Sequence, residues 1–137
     1  MSSRVVIKLG GGLITDKGSM KKFDPDSVER VADSISSIVG MGVPVVIVHG
    51  AGSFGHLLAK EWSISKGVDQ KIAKEQRMIV EEIRSDMREL NGLVIDRLSD
   101  SGLESEGLPP SEWAIGTGSG FKGDITNFER VVEAPIP

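Results

Sequence analysis

The chain has 137 residues, no cysteine, two histidines and a net charge of −4 from interspersed acids and bases. That length suits one domain with a true core and is short for a two-lobed enzyme. Disulfides, thiolate metal sites and a histidine-rich zinc centre are excluded, and no basic stripe with interleaved aromatics marks a nucleic-acid binder.

Arg4-Val5-Val6-Ile7-Lys8-Leu9 reads as a first strand running into Gly10-Gly11-Gly12. Lys8 is out of place among Val, Ile and Leu, because a buried charge is costly unless its head reaches water or an anion. Its position, separated from the glycines by Leu9 alone, favours an anion; the alternative is an edge-strand lysine facing solvent. The segment from Leu13 to Phe23 reads as a polar, lysine-rich loop in which Lys17 can swing onto a phosphate, while Lys21 and Lys22 read as solvated.

Asp24-Pro25-Asp26 announces a helix, with Asp24 as N-cap and Pro25 in its first position. Val28, Val31, Ala32, Ile35, Ile38 and Val39 recur at helical spacing, and Gly40 and Gly42 close the element. Strand, glycine loop, helix and strand form a βαβ unit, which implies parallel pairing.

Val45-Val46-Ile47-Val48-His49 has no polar alternation, as expected of a parallel strand covered on both faces. It empties into Gly50-Ala51-Gly52-Ser53-Phe54-Gly55-His56, where Gly50, Gly52 and Gly55 are free to take positive φ and to let a ligand approach the peptide N–H groups. A helix is expected from Phe54 onward, with Leu57, Leu58, Ala59 and Trp62 on one face, placing the loop at a helix start that favours phosphate. A G-x-G-x-x-G string also marks dinucleotide folds, but no acid is placed convincingly for a ribose. His56 either reaches a ligand phosphate or bonds a neighbouring carbonyl.

A break at 65–69 precedes a long polar helix from about 70 to 91, with Ile72, Met78, Ile79, Ile83, Met87 and Leu90 on its apolar side and its charges solvated. It is a wall of the site or a dimer surface. The segment from Gly92 continues or restarts the helix and Gly102 stops it. Pro109-Pro110-Ser111-Glu112 suggests a turn and a short helix; residues 116–124 suggest a hairpin tip or lid, and a third phosphate loop is disfavoured there; 124–133 suggests a last helix. The apolar stop at Ala134-Pro135-Ile136-Pro137 suggests the front part of something longer.

The blocks Ile7-Lys8-Leu9-Gly10-Gly11-Gly12, Ile14-Thr15-Asp16-Lys17 and Val48-His49-Gly50-Ala51-Gly52-Ser53-Phe54-Gly55-His56 together resemble the amino acid kinase superfamily. The Phe-Gly-His ending is most similar to isopentenyl phosphate kinases and their fosfomycin kinase relatives. The resemblance implies a three-layer αβα sandwich with a mainly parallel sheet, truncated so that residues 1–137 are an N-terminal, substrate-binding part without its nucleotide-binding half. It implies ATP-dependent phosphorylation of a small phosphorylated acceptor, isopentenyl phosphate to isopentenyl diphosphate, with ATP and Mg²⁺.

By the same resemblance Lys8, Lys17 and His56 are the catalytic set. Lys8, Gly10, Gly11, Gly12 and Lys17 serve the nucleotide phosphates; Gly50, Ala51, Gly52, Ser53, Gly55 and His56 hold the acceptor phosphate. No protein metal ligands are expected. Gly12 stands where the family commonly has serine, so a hydroxyl contact is lost that backbone N–H groups can replace. The partner is a small-molecule phosphate and not nucleic acid or membrane; the protein is expected to be a cytoplasmic homodimer. The rivals are a fosfomycin-type or other small-molecule kinase of the superfamily, and a non-catalytic half-domain that binds a phosphorylated ligand.

Overall fold

A computed structural model describes residues 4–115 together with 122, 123 and 126. Strand β1 (Val5–Leu9) and strand β2 (Val45–His49) pair in parallel, Val5 opposite Val45 through Leu9 opposite His49. Between them run the one-turn helix α1 (Gly11–Ile14) and helix α2 (Pro25–Gly40). The 3-10 turn Gly52–Phe54, helix α3 (His56–Glu61) and helix α4 (Ala73–Asp100) follow. Strands β3 (Ala114–Ile115) and β4 (Lys122–Gly123) pair antiparallel.

The expected start of α2 is found. Asp24 Oδ1 accepts from Ser27 N–H at 3.0 Å and Pro25 opens the helix, where its missing donor costs nothing. Val28, Ala32 and Ile35 then point inward, one turn apart, onto Leu90, Val94 and Leu98 of α4 and the strand residues Ile7, Leu9, Val45 and Ile47. Burial of these side chains is the main favourable term in holding both glycine loops at one end of the sheet.

Several local expectations are corrected. Leu13 and Ile14 belong to α1 and not to a loop, because Ile14 is driven fully into the core. The strands are covered on the α2/α4 face only: Val6 and Val48, opposite that face, are 67% and 48% exposed, so among the described residues one helical layer lies on the sheet. The segments about Gly92 are one continuous 28-residue helix, glycine's weak propensity being overridden by the packing of Leu90 and Val94. Pro110–Glu112 forms the expected short turn of helix, of 3-10 type. The glycine-rich segment 116–121 and nearly all of the expected helix at 124–133 lie outside the described residues.

Candidate active site

The two glycine loops meet backbone to backbone. A side chain on Gly11 would collide with Gly52 N, and one on Gly50 would lie 2.8 Å from Gly11 N. Glycine is therefore needed at 11 and 50 for close approach. Only Gly52 of the second loop takes positive φ, at 49°; Gly55 has φ −138°, and any Cβ there would come within 3.0 Å of Ala51 Cβ. The expectation of left-handed backbone at Gly50 and Gly55 is thus replaced by a steric one.

Thr15 holds the two loops together. Its hydroxyl donates to Gly11 O at 2.7 Å and accepts the Ser53 N–H at 2.9 Å, and the residue is buried. A single hydroxyl satisfies both loops because it is donor and acceptor at once. Ser53, predicted to touch substrate, is buried with its Oγ turned to accept from Lys22 N–H at 3.2 Å.

Of the predicted cations, Lys17 reaches the first loop. Lys17 is exposed and its side chain folds back over Gly12, so closely that a Cβ on residue 12 would collide with Lys17 Cε and lie 2.9 Å from its Nζ. The space a side chain at residue 12 would take is filled here by a lysine. Lys8 lies on the open face of β1, opposite Val48, and is exposed. His56 opens α3, is exposed and makes no side-chain hydrogen bond among the described residues.

The histidine that bonds a neighbouring carbonyl is His49. Its Nδ1 lies 3.1 Å from Gly50 O and its Nε2 3.0 Å from Asn91 Oδ1, tying the root of the second loop to α4. Gly10, Gly11 and Gly12 lead into the first turn of α1, where the initial N–H groups have no intrahelical acceptor.

The side chain least expected here is Lys21. Its place in a polar loop predicts a solvated side chain, yet its Nζ pairs with Asp86 at 2.9 Å and Glu89 at 2.6 Å on α4 and stands 5.9 Å from the centre of the Phe54 ring. The hydrogen bonds from Glu89 and then Asp86 raise its pKa above the ordinary lysine value. Asp86 is correspondingly buried and not solvated. Thr15, Lys21, Asp86, His49 and Asn91 were all without an assigned role in sequence, because each acts through partners far away in the chain.

Ala51, Ile83 Cγ2 and Met87 Sδ line the far side of the second loop around Gly55, the latter two 3.6 Å from where a Cβ would stand. A separate open hollow of about 900 Å³ lies between the end of α3 and the start of α4, lined by Trp62, Lys66, Asp69, Ile72 and Gln76 among others. It contains none of the loop residues and is too open to define the site. No cluster of three or more His, Asp or Glu able to hold a metal exists among the described residues.

The sequence profile of the Amino acid kinase family matches residues 3–132, and the chain belongs to that family. It is 33% identical over 109 residues to the isopentenyl phosphate kinase of Methanothermobacter thermautotrophicus, covering 78% of this chain and 40% of that one. It is also 33% identical over 106 residues to the uridylate kinase of Rhodococcus jostii, covering 77% and 37%. A solved isopentenyl phosphate kinase superposes with a TM-score of 0.84 at 29% identity, covering 96% of this chain and 54% of that one. The fold is therefore the α/β fold of this family, and the chain spans about half the length, or less, of these relatives.

Proposed function

We propose that this chain carries the acceptor site of an ATP-dependent kinase that phosphorylates a small phosphorylated molecule, isopentenyl phosphate to isopentenyl diphosphate. The observation that carries the reading is the abutment of two glycine loops, Gly11 against Gly50 and Gly52, with Lys17 over one and an exposed His56 at the end of the other. Transfer between two phosphates needs neutralised charge and in-line placement more than a base, since the acceptor is already an anionic oxygen. In this reading the loop from Gly50 through Ala51 and Gly52 to Gly55 closes around the acceptor phosphate and His56 donates to it, the Gly50 and Gly55 N–H groups being already given to Leu9 O and Gly52 O. Ser53 supports the cradle from behind. Lys8, Lys17 and the N–H groups of Gly10, Gly11 and Gly12 face the nucleotide phosphates.

Ile83 and Met87 beside Gly55 give an apolar tail a surface to follow, which favours a prenyl acceptor over a nucleotide. Mg²⁺ would enter on the phosphates of ATP, neutralising the charge that builds up between them, because among the described residues the donor set offers backbone and cations and no carboxylate cluster. The same reading takes residues 1–137 as the N-terminal, substrate-binding part, and has the enzyme work in the cytoplasm as a homodimer. Among the described residues no helix is long and apolar enough to cross a membrane.

The test is a calorimetric titration of the chain with isopentenyl phosphate, fosfomycin, uridine monophosphate and inorganic phosphate, followed by each acceptor with Mg²⁺ and ATP. Selective binding of isopentenyl phosphate, weakened about tenfold or more by His56→Ala, is expected for a charge-assisted contact. Equal binding of all four, or an unaffected His56→Ala, would refute the assignment.

A further inference from the structure

Residues 16–22 form a closed turn between the glycine loops, Asp16 N–H donating to Lys22 O at 2.9 Å. The turn is stitched to the second loop through Lys21 N–H to Ser53 O and Lys22 N–H to Ser53 Oγ, both at 3.2 Å. Lys21 itself has φ 52°, a left-handed conformation that residues with a Cβ rarely adopt. That conformation accompanies a side chain running across Phe54 to Asp86 and Glu89. Phe54 is buried, and Asp86 is a carboxylate 7% exposed on the face of α4 that packs on the loop. A lysine that only solubilised a turn would need neither the unusual backbone nor an ammonium shared by two carboxylates of α4. The observed arrangement instead spends an uncommon conformation on one contact, and that contact joins three elements.

We propose that Lys21 is a positioning residue: its ammonium, gripped by Asp86 and Glu89, clamps the first glycine loop onto the second and so fixes the gap between donor and acceptor phosphates. The statement about the gap rests on the proposed kinase reading, whereas the clamp does not. Lys21 touches neither phosphate in this scheme; it acts through Ser53 and Phe54. Breaking it frees the turn at Phe54 while Leu90, Val94 and Leu98 of α4 stay packed on α2, because the partners of the ammonium are Asp86, Glu89 and the Phe54 ring.

The experiment is residue-resolved amide exchange by NMR on the whole chain without ligand, comparing wild type with Lys21→Met, Lys21→Arg and Asp86→Asn. Lys21→Met and Asp86→Asn should speed exchange of the Ser53 and Lys22 amides by about tenfold or more, with Leu90 and Val94 unchanged and Lys21→Arg near wild type. Unchanged exchange at Ser53, or acceleration spread evenly over α4, would overturn the clamp. Should Lys21→Met fail to fold, Glu89→Gln removes only the exposed partner: local acceleration supports the clamp and none overturns it. Isopentenyl phosphate is then added. In wild type the amides of both loops should shift, and in Lys21→Met only those of Gly55 and His56; joint shifts in Lys21→Met would overturn the coupling. Silence in wild type would count against the kinase reading, leaving the ligand-free comparison to decide the clamp.

Discussion

Thr15 Oγ1 accepts the Ser53 N–H at 2.9 Å, a buried hydrogen bond between residues 38 positions apart that joins the two glycine loops. Both groups are cut off from water, so the bond matters most for what its loss leaves behind. Thr15→Val keeps the shape and removes the hydroxyl, orphaning a buried N–H at a cost of about 1–3 kcal/mol. Thr15→Ser should recover most of it. Urea unfolding monitored by circular dichroism checks both, and equal stability of Thr15→Val and wild type would show that the bond is not made in solution.

Gly12 and Lys17 occupy one volume, since a Cβ at 12 would collide with Lys17 Cε. The far end of an exposed lysine moves more easily than backbone, so Gly12→Ser should change stability by no more than about 0.5 kcal/mol. The displaced ammonium is the consequence. Inorganic triphosphate, as a probe of the first loop, should bind several-fold more weakly to Gly12→Ala, which displaces the lysine without adding a hydroxyl, and to Lys17→Met, and no more weakly to the double variant than to Lys17→Met. Additive losses would mean that the two positions act separately.

Much of this arrangement was legible in the residues and some was not, for physical reasons. Asp24-Pro25 and the spacing from Val28 to Ile35 specify α2 by local rules, and the β-branched runs specify both strands and their parallel pairing. The glycine loops showed where the backbone must be bare. They did not show that Gly11 and Gly50 are bare because of each other, nor that Ser53 turns inward, since those facts belong to a contact between loops. Lys21 and Asp86 lie 65 positions apart, and no periodicity relates a turn lysine to one carboxylate among many on a charged helix. Val6 and Val48 read as buried because composition reports what a face can cover and not what lies on it.

The acid limb of stability should trace to Asp24 and Asp16. Ser27, through its N–H and then its hydroxyl, holds the Asp24 carboxyl below its ordinary value of 3.8, and Gly18 N–H followed by Lys22 does the same for Asp16. A carboxyl whose folded pKa is depressed stabilises the fold fully above its unfolded pKa and loses that contribution as pH falls through the folded value. Their contribution is therefore constant near neutrality and disappears below 3.8. Asp24→Asn retains a capping oxygen without the titration, so its melting temperature should fall less than wild type's between about pH 4 and pH 2. A parallel decline would place the acid sensitivity elsewhere. Lys21 loses its contribution at the alkaline end only as pH rises through its raised pKa, because the Glu89 and Asp86 carboxylates hold it above the ordinary lysine value.

The glycines of the two loops separate into one that is free and others that are not. A Cβ on Gly10 meets nothing within 4 Å, and its φ of −62° suits any residue. A Cβ on Gly52 would run into Thr15 Oγ1, lie 2.5 Å from Gly11 O and carry a φ of +49°. Overpacking costs about 1–3 kcal/mol and left-handed backbone about 1–2 kcal/mol more, so Gly52→Ala should lower stability by several kcal/mol where Gly10→Ala leaves it near wild type. The urea midpoint at constant m-value measures that difference. Phosphate affinity should follow the same order, because forcing Thr15 from Gly52 parts the loops whose contact makes the site. A Gly52→Ala chain with wild-type stability would mean that the loops stand farther apart than their backbone contact requires.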